Sequence, residues 1–140
     1  MSLRRLIVLA MLTALIGGRA YANDAMTILQ EMSTKWQTAY NAGEAAKVAD
    51  LFFADGAFIS GVLGTLRSRA DIEKAVADQM KKAPKITITP TQAWQSGGVV
   101  WGYGDFMYPN GPSGYYGFTM IGTSGVWHIA MYISNVTPPK

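Results

Sequence analysis

Apolar residues recur along this chain first at helical spacing and then at strand spacing. Ile28, Met32, Trp36 and the pair Ala39-Tyr40 repeat every three or four positions and predict one amphipathic helix, with Asn23 or Asp24 as its cap. Asn41-Ala42-Gly43 stops it, because glycine tolerates the left-handed conformation of a helix end. Glu44 opens a second, shorter helix with Val48, Leu51 and Phe52 inward, and Asp55-Gly56 turns the chain. Residues 57–62 read as a strand and 64–66 as a short one. Ser68-Arg69-Ala70-Asp71 has the form of a capping box and predicts a third helix, with Ile72, Val76 and Met80 inward and Pro84 as its stop.

Beyond Pro84 the period changes to two. Residues 85–95, 99–108, 114–121 and 126–136 alternate and read as strands. Gly97-Gly98 and Thr123-Ser124-Gly125 supply tight turns, and residues 109–112 a loop. Helices first and long antiparallel strands afterwards give an α+β class. Nine glycines between 97 and 125 permit the bulges that a strongly curved sheet needs.

The first 22 residues read as an address rather than as part of the fold. Arg4 and Arg5 precede the uncharged apolar run 6–16, and Ala20-Tyr21-Ala22 is a small-x-small cleavage pattern. The run is shorter than the about 20 apolar residues that span a bilayer. Cleavage after Ala22 would leave residues 23–140 as one periplasmic or secreted domain, free of the membrane. The surroundings of Arg4-Arg5 fit general secretion better than twin-arginine export, and no cysteine follows to carry a lipid.

Export changes the charge argument. The chain has 12 Lys+Arg against 9 Asp+Glu, and three of the arginines (Arg4, Arg5 and Arg19) lie in the leader. What remains is neutral, so the basic surface that nucleic acid requires is missing. Lys81, Lys82 and Lys85 form the only dense basic group, at a predicted helix end where cations suit the dipole. The absence of cysteine excludes thiol nucleophiles, zinc-thiolate sites and redox pairs.

Four segments together resemble the SnoaL-like branch of the nuclear transport factor 2-like superfamily. They are Asn41-Ala42-Gly43-Glu44, Leu51-Phe52-Phe53-Ala54-Asp55-Gly56-Ala57-Phe58, Ser68-Arg69-Ala70-Asp71-Ile72 and Ser124-Gly125-Val126-Trp127-His128-Ile129. The resemblance implies a cone-shaped α+β barrel, about three N-terminal helices packed on a strongly curved antiparallel sheet, with a deep apolar pocket. It also implies a homodimer through the outer sheet face. Ketosteroid isomerases of the superfamily use a tyrosine on the first helix, a base aspartate on the first strand and a protonated aspartate on a late strand. The corresponding positions here are Trp36, Gly61 and Gly117, so that form of isomerase chemistry is not expected.

Two residues are candidates for acid-base chemistry. Asp105 lies in Trp101-Gly102-Tyr103-Gly104-Asp105 and shares a face with Val99, Trp101, Tyr103 and Met107. If that face lines the pocket, Asp105 is a general acid or base in apolar surroundings. If not, it faces water or caps the loop at Pro109. His128, the single histidine, alternates with Ala130, Tyr132 and Ser134, opposite a face of Trp127, Ile129, Met131 and Ile133 that reads as core. It meets solvent or a dimer partner, or reaches a polar part of the cavity. One histidine without carboxylate partners does not make a metal site, and no cofactor motif occurs.

Trp36, Tyr40, Trp101, Tyr103, Tyr116 and Tyr132, with Trp94 and Tyr115 beside them, are either ordinary core or a stacking wall for a flat ligand. Three readings follow. The chain is an exported domain that binds a small apolar molecule; or an acid-base enzyme (a cyclase, lyase, isomerase or hydrolase) working through Asp105 with His128 or a tyrosine; or a homodimeric interaction module whose pocket is filled by its own side chains. The direction of the Asp105 side chain separates the first two.

Overall fold

The computed structural model describes residues 24–138. The expected leader and the capping position Asn23 lie outside the described residues. Helix α1 occupies 24–41, α2 Ala45–Ala49 and α3 Arg69–Lys82. The strands are β1 Phe52–Ser60, β2 Gly64–Leu66, β3 Thr87–Ser96, β4 Val99–Met107, β5 Ser113–Thr123 and β6 Val126–Val136. They form one sheet in the order β2-β1-β6-β5-β4-β3. The architecture is α+β, with the helices packed on a six-stranded mixed sheet.

The sheet is mixed rather than antiparallel because β1 and β6 run parallel. Their pairing also explains why β1 begins five residues before the alternating pattern does. Phe52 pairs with Ile129, and the Ile129 N–H donates to the Leu51 carbonyl at 2.8 Å. The Arg69 guanidinium, at the start of α3, donates to the Phe52 carbonyl. A strand 77 residues further along the chain, counted from Phe52 to Ile129, therefore captures the segment that reads locally as the last turn of a helix and a turn. A register shift between Phe52 and Ala57 takes up the mismatch. Gly56 sits inside it, where a Cβ would stand 2.9 Å from the Ile129 carbonyl oxygen.

Helix α1 lies against the sheet through Ala25, Leu29, Met32, Ser33, Trp36 and Tyr40, all buried. Met32, Trp36, Ala39 and Tyr40 fill the core as the periodicity suggested, while in the first turns Leu29 takes the buried place and Ile28 flanks it. Gly102 makes that approach possible, because a Cβ there would come within 2.7 Å of the Leu29 side chain. The Asn41 side chain then grips β3 by its lead-in, donating to the Ile86 carbonyl at 3.0 Å and accepting from the Ile86 N–H at 2.8 Å. Gln37 accepts from the Ile88 N–H in the same way.

Helix α3 buries Ile72, Val76 and Met80. Ser68 caps it by accepting from the Asp71 N–H, while its own hydroxyl donates to the Asp71 carboxylate. The hairpin between β5 and β6 turns through Ser124 and Gly125, both at positive φ, as a two-residue turn of this twist requires.

A second irregularity reorients β6. Thr119 pairs with Met131 but Met120 pairs with Ile129, leaving Ala130 as an extra residue. Across this bulge the inward set changes from Trp127 and Ile129 to Tyr132, Ser134 and Val136. Met131 and Ile133, read from the sequence as core, stand exposed on the outer face.

Candidate functional site

Between α1, α3 and the inner face of the β1 end of the sheet lies a cavity of about 520 Å³. Its floor is aromatic. Trp36 stacks on Tyr132 at 4.7 Å between ring centroids, and Phe58 meets the same tyrosine at 4.6 Å. Trp36 also touches Phe52 and Phe118, each at 5.7 Å. At the other end Tyr40, Phe106 and Tyr108 form a second ring group.

Inside the mouth, the polar side-chain atoms of the wall are hydroxyls and one amide. Ser60 and Ser134 lie side by side on the parallel strands β1 and β6 and both line the cavity. Ser134 stands two residues beyond Tyr132 on the same face of β6. The Gln79 amide donates to the Tyr108 hydroxyl, and the Tyr40 hydroxyl donates to the Ala83 carbonyl at 2.7 Å. Burial pushes the phenols of Tyr40, Tyr132 and Tyr108 above the ordinary tyrosine range. They are neutral donors and acceptors throughout the physiological range, not bases.

The charged residues of the wall belong to one lip of the mouth. Asp71, Lys74, Asp78 and Lys82 recur at spacings of three and four along α3, beside the buried stripe of that helix, and all are exposed. The facing lip is the exposed apolar pair Val62 and Leu63, in the turn after β1. Ser60 accepts from the N–H groups of both residues of this pair.

Three residues singled out from the sequence meet at this cavity: Trp36, Tyr40 and Tyr132. Tyr116 lies behind it. Its ring is 6.4 Å from that of Tyr132, and its hydroxyl is 2.9 Å from the Ser33 hydroxyl on α1. Burial pushes its phenol up to about 12.

Trp101, Tyr103 and Asp105 lie on the opposite side of the sheet. On β4 the inward positions are Val100, Gly102, Gly104 and Phe106; a Cβ at Gly102 would strike Leu29 of α1 and one at Gly104 the β3 backbone at Thr89 and Pro90. The alternate set, which carries the large aromatics and Asp105, faces out. Asp105 is exposed, with the Thr91 hydroxyl 3.3 Å from its carboxylate. It does not reach the cavity. His128 is also turned outward, paired with the exposed Ile121, and its ring lies 5.2 Å from that of Phe53. Gly117 pairs with Ile133 on the outer face, so the inward neighbours at that level of β5 are Tyr116 and Phe118.

The sequence reading missed Phe58, Ser60, Tyr108 and Ser134, and all of the α3 lip. The lip had a usable signal, since 71, 74, 78 and 82 form a stripe next to 72, 76 and 80. Ser134 was hidden by the bulge. No group of three or more His, Cys, Asp or Glu occurs among the described residues.

No family model and no curated protein sequence matches the chain. Solved structures do. A ketosteroid isomerase-like protein from Erwinia carotovora atroseptica superposes with a TM-score of 0.69 at 12% identity, over 84% of this chain and 99% of that one. A domain of unknown function with a cystatin-like fold from Nostoc punctiforme gives 0.70 at 10% identity, over 81% and 77%. A nuclear transport factor 2-like protein of unknown function from Shewanella oneidensis gives 0.61 at 15% identity, over 76% and 95%. At these identities the likeness shows the fold alone, which is nuclear transport factor 2-like.

Proposed function

We propose that this is an exported binding domain that holds a small, flat, apolar or aromatic molecule between α1, α3 and the sheet. The observation that carries the reading is the cavity itself: about 520 Å³ with an aromatic floor and phenols held neutral by burial. Volumes of roughly 300–1,000 Å³ with mostly apolar walls and a few convergent polar groups are usual for small-molecule sites. Its carboxylates, Asp71 and Asp78, stand on the exposed lip. Asp71 is engaged by Ser68 and Asp78 by Lys81. Abstracting a proton in an apolar pocket takes a base placed against the substrate, and binding asks for none. An empty space of this size also argues against a module whose pocket is filled by its own side chains.

The test is native mass spectrometry of the purified protein before any refolding, together with titration of the neutral fluorophore N-phenyl-1-naphthylamine. A co-purified small molecule, or saturable fluorophore uptake that Ala75→Trp abolishes from the cavity wall, supports binding. No adduct together with no saturable uptake overturns it.

The outer sheet face supports a second element of the reading, a homodimer. Eight of the eleven large apolar side chains exposed among the described residues lie on it, among them Trp94, Trp101, Tyr103, Tyr115 and Ile133. From Thr87 to Val136 the only Lys, Arg, Asp or Glu is Asp105. Strands β3 to β6, at about 3.3 Å per residue and about 4.8 Å between strands, outline a face of about 600 Å². Side-chain relief adds accessible area to that outline, which brings it near the about 800 Å² per partner of a stable interface.

A further inference from the structure

We propose that the ligand carries one anionic group, a carboxylate, sulfonate or phosphate, which Lys74 and Lys82 on the α3 lip hold while its apolar body occupies the cavity. The inference rests on the cavity reading above and adds the polarity of the ligand to it.

The two lips of the mouth are chemically opposite. Val62 and Leu63 offer no charge, so only α3 can read a polar head. The two α3 acids that line the cavity are already engaged, Asp71 by the Ser68 hydroxyl and Asp78 by Lys81 at 2.8 Å, and Glu73 is not among the lining residues. Neither Lys74 nor Lys82 is in an ion pair among the described residues, where the pairs are Lys47–Glu44 and Lys81–Asp78. The charged residues that line the mouth are Asp71, Lys74, Asp78 and Lys82; with Asp78 paired to Lys81, Lys74 and Lys82 leave this end of the lip net positive. Lys74 and Lys82 both line the cavity. Their positions, eight residues apart on a helix, fall on one face about two turns, roughly 12 Å, from each other. Deeper in the cavity a charged head would meet rings and neutral hydroxyls and lose its hydration, so the stable pose leaves it at the mouth. A ligand with a cationic head would meet the two lysines instead.

Two probes that differ by one charged group test this. N-phenyl-1-naphthylamine is neutral, and 8-anilinonaphthalene-1-sulfonate is the same skeleton with a sulfonate. The purified protein is expected to bind the sulfonate about three- to tenfold more tightly, as two partly exposed charge contacts allow. That preference should vanish at ~1 M salt, where the screening length is about 3 Å. It should vanish likewise in the double variant Lys74→Gln, Lys82→Gln. Equal affinities, or a preference indifferent to the double substitution, overturn the anionic ligand and leave the cavity reading standing. Failure of both probes to bind removes the cavity reading as well. Sulfonate binding that survives Ala75→Trp comes from another surface and counts against the proposal.

Discussion

Tyr40 on α1 donates its hydroxyl to the carbonyl of Ala83, the residue that ends α3, across 2.7 Å. This bond joins the two helices that flank the cavity at a point where α3 has a carbonyl without a helical partner. Tyr40→Phe keeps the ring against Tyr108 and removes only the donor. The expected cost is about 1 kcal/mol, the usual net value of such a bond. Urea unfolding followed by circular dichroism measures it, and an unchanged midpoint would show that the helix end finds another donor.

Trp36 is both core and cavity floor, with its ring against Phe52, Phe118 and Tyr132. Trp36→Ala should destabilise the fold by about 3–5 kcal/mol, the range for deleting a buried aromatic. Trp36→Phe keeps most of the apolar volume and separates stability from binding. It should fold, and it should bind the neutral fluorophore more weakly because one stacking plane is smaller. Undiminished affinity would move the ligand away from this floor.

The buried tyrosines make the protein sensitive to alkali. Burial is the main reason why Tyr40, Tyr108, Tyr116 and Tyr132 hold their protons longer in the fold than free phenols do, Tyr116 up to about 12. A raised pKa in the folded state means that the associated stability is complete below the ordinary phenol value of about 10 and is lost as pH rises through the folded values. Stability should therefore fall between pH ~10 and ~12, with the late tyrosinate absorbance appearing together with loss of the circular dichroism signal. Titration of every tyrosine near 10 in a still-folded protein would contradict the burial of these rings.

The stripes at Met32-Trp36-Tyr40 and Ile72-Val76-Met80, the cap at Ser68 and the turn at Ser124-Gly125 were legible because local chemistry alone determines them. Long-range pairing decided the rest. Nothing near Phe52 shows that β6 will capture it in parallel, and nothing near Ala130 shows that one unpaired residue will exchange the two faces of the last strand. On β4 the usual cue misleads, because the inward positions hold Gly102, which admits Leu29 of α1, and Gly104, which lets the β3 backbone come close, while Trp101 and Tyr103 face out. Of the six aromatics proposed for the wall, Trp36, Tyr40 and Tyr132 line the cavity, Tyr116 lies behind it, and Trp101 and Tyr103 stand on the other side of the sheet.

Asp105 offers a direct check on which side of the sheet is functional. Its carboxylate stands outside, near the Thr91 hydroxyl, separated from the cavity by the sheet. Asp105→Asn should leave affinity for the neutral fluorophore unchanged. A severalfold change would show that the outer face communicates with the cavity or carries the site itself.

The same substitution bears on association, and a companion at Ile133 tests it more severely. Ile133 is exposed at the middle of β6, paired with Gly117 of β5 and flanked by Trp101 and Tyr103 in a shallow outer depression. If two copies meet through this face, Ile133→Lys places a charge within the contact on each side of the dyad. Burying two unpaired ammonium groups costs more than a standard interface spares, whereas in a monomer the same lysine reaches water freely. Multi-angle light scattering should then give the monomer mass for Ile133→Lys and the dimer mass for the parent. The unfolding midpoint, compared at equal low concentration, should move little, because the side chain is exposed in the single chain. Asp105→Asn, which removes the one formal charge on β3–β6, should act in the opposite sense and lower the dissociation constant. A parent protein that is monomeric at every concentration would leave the apolar face without a second copy to cover it.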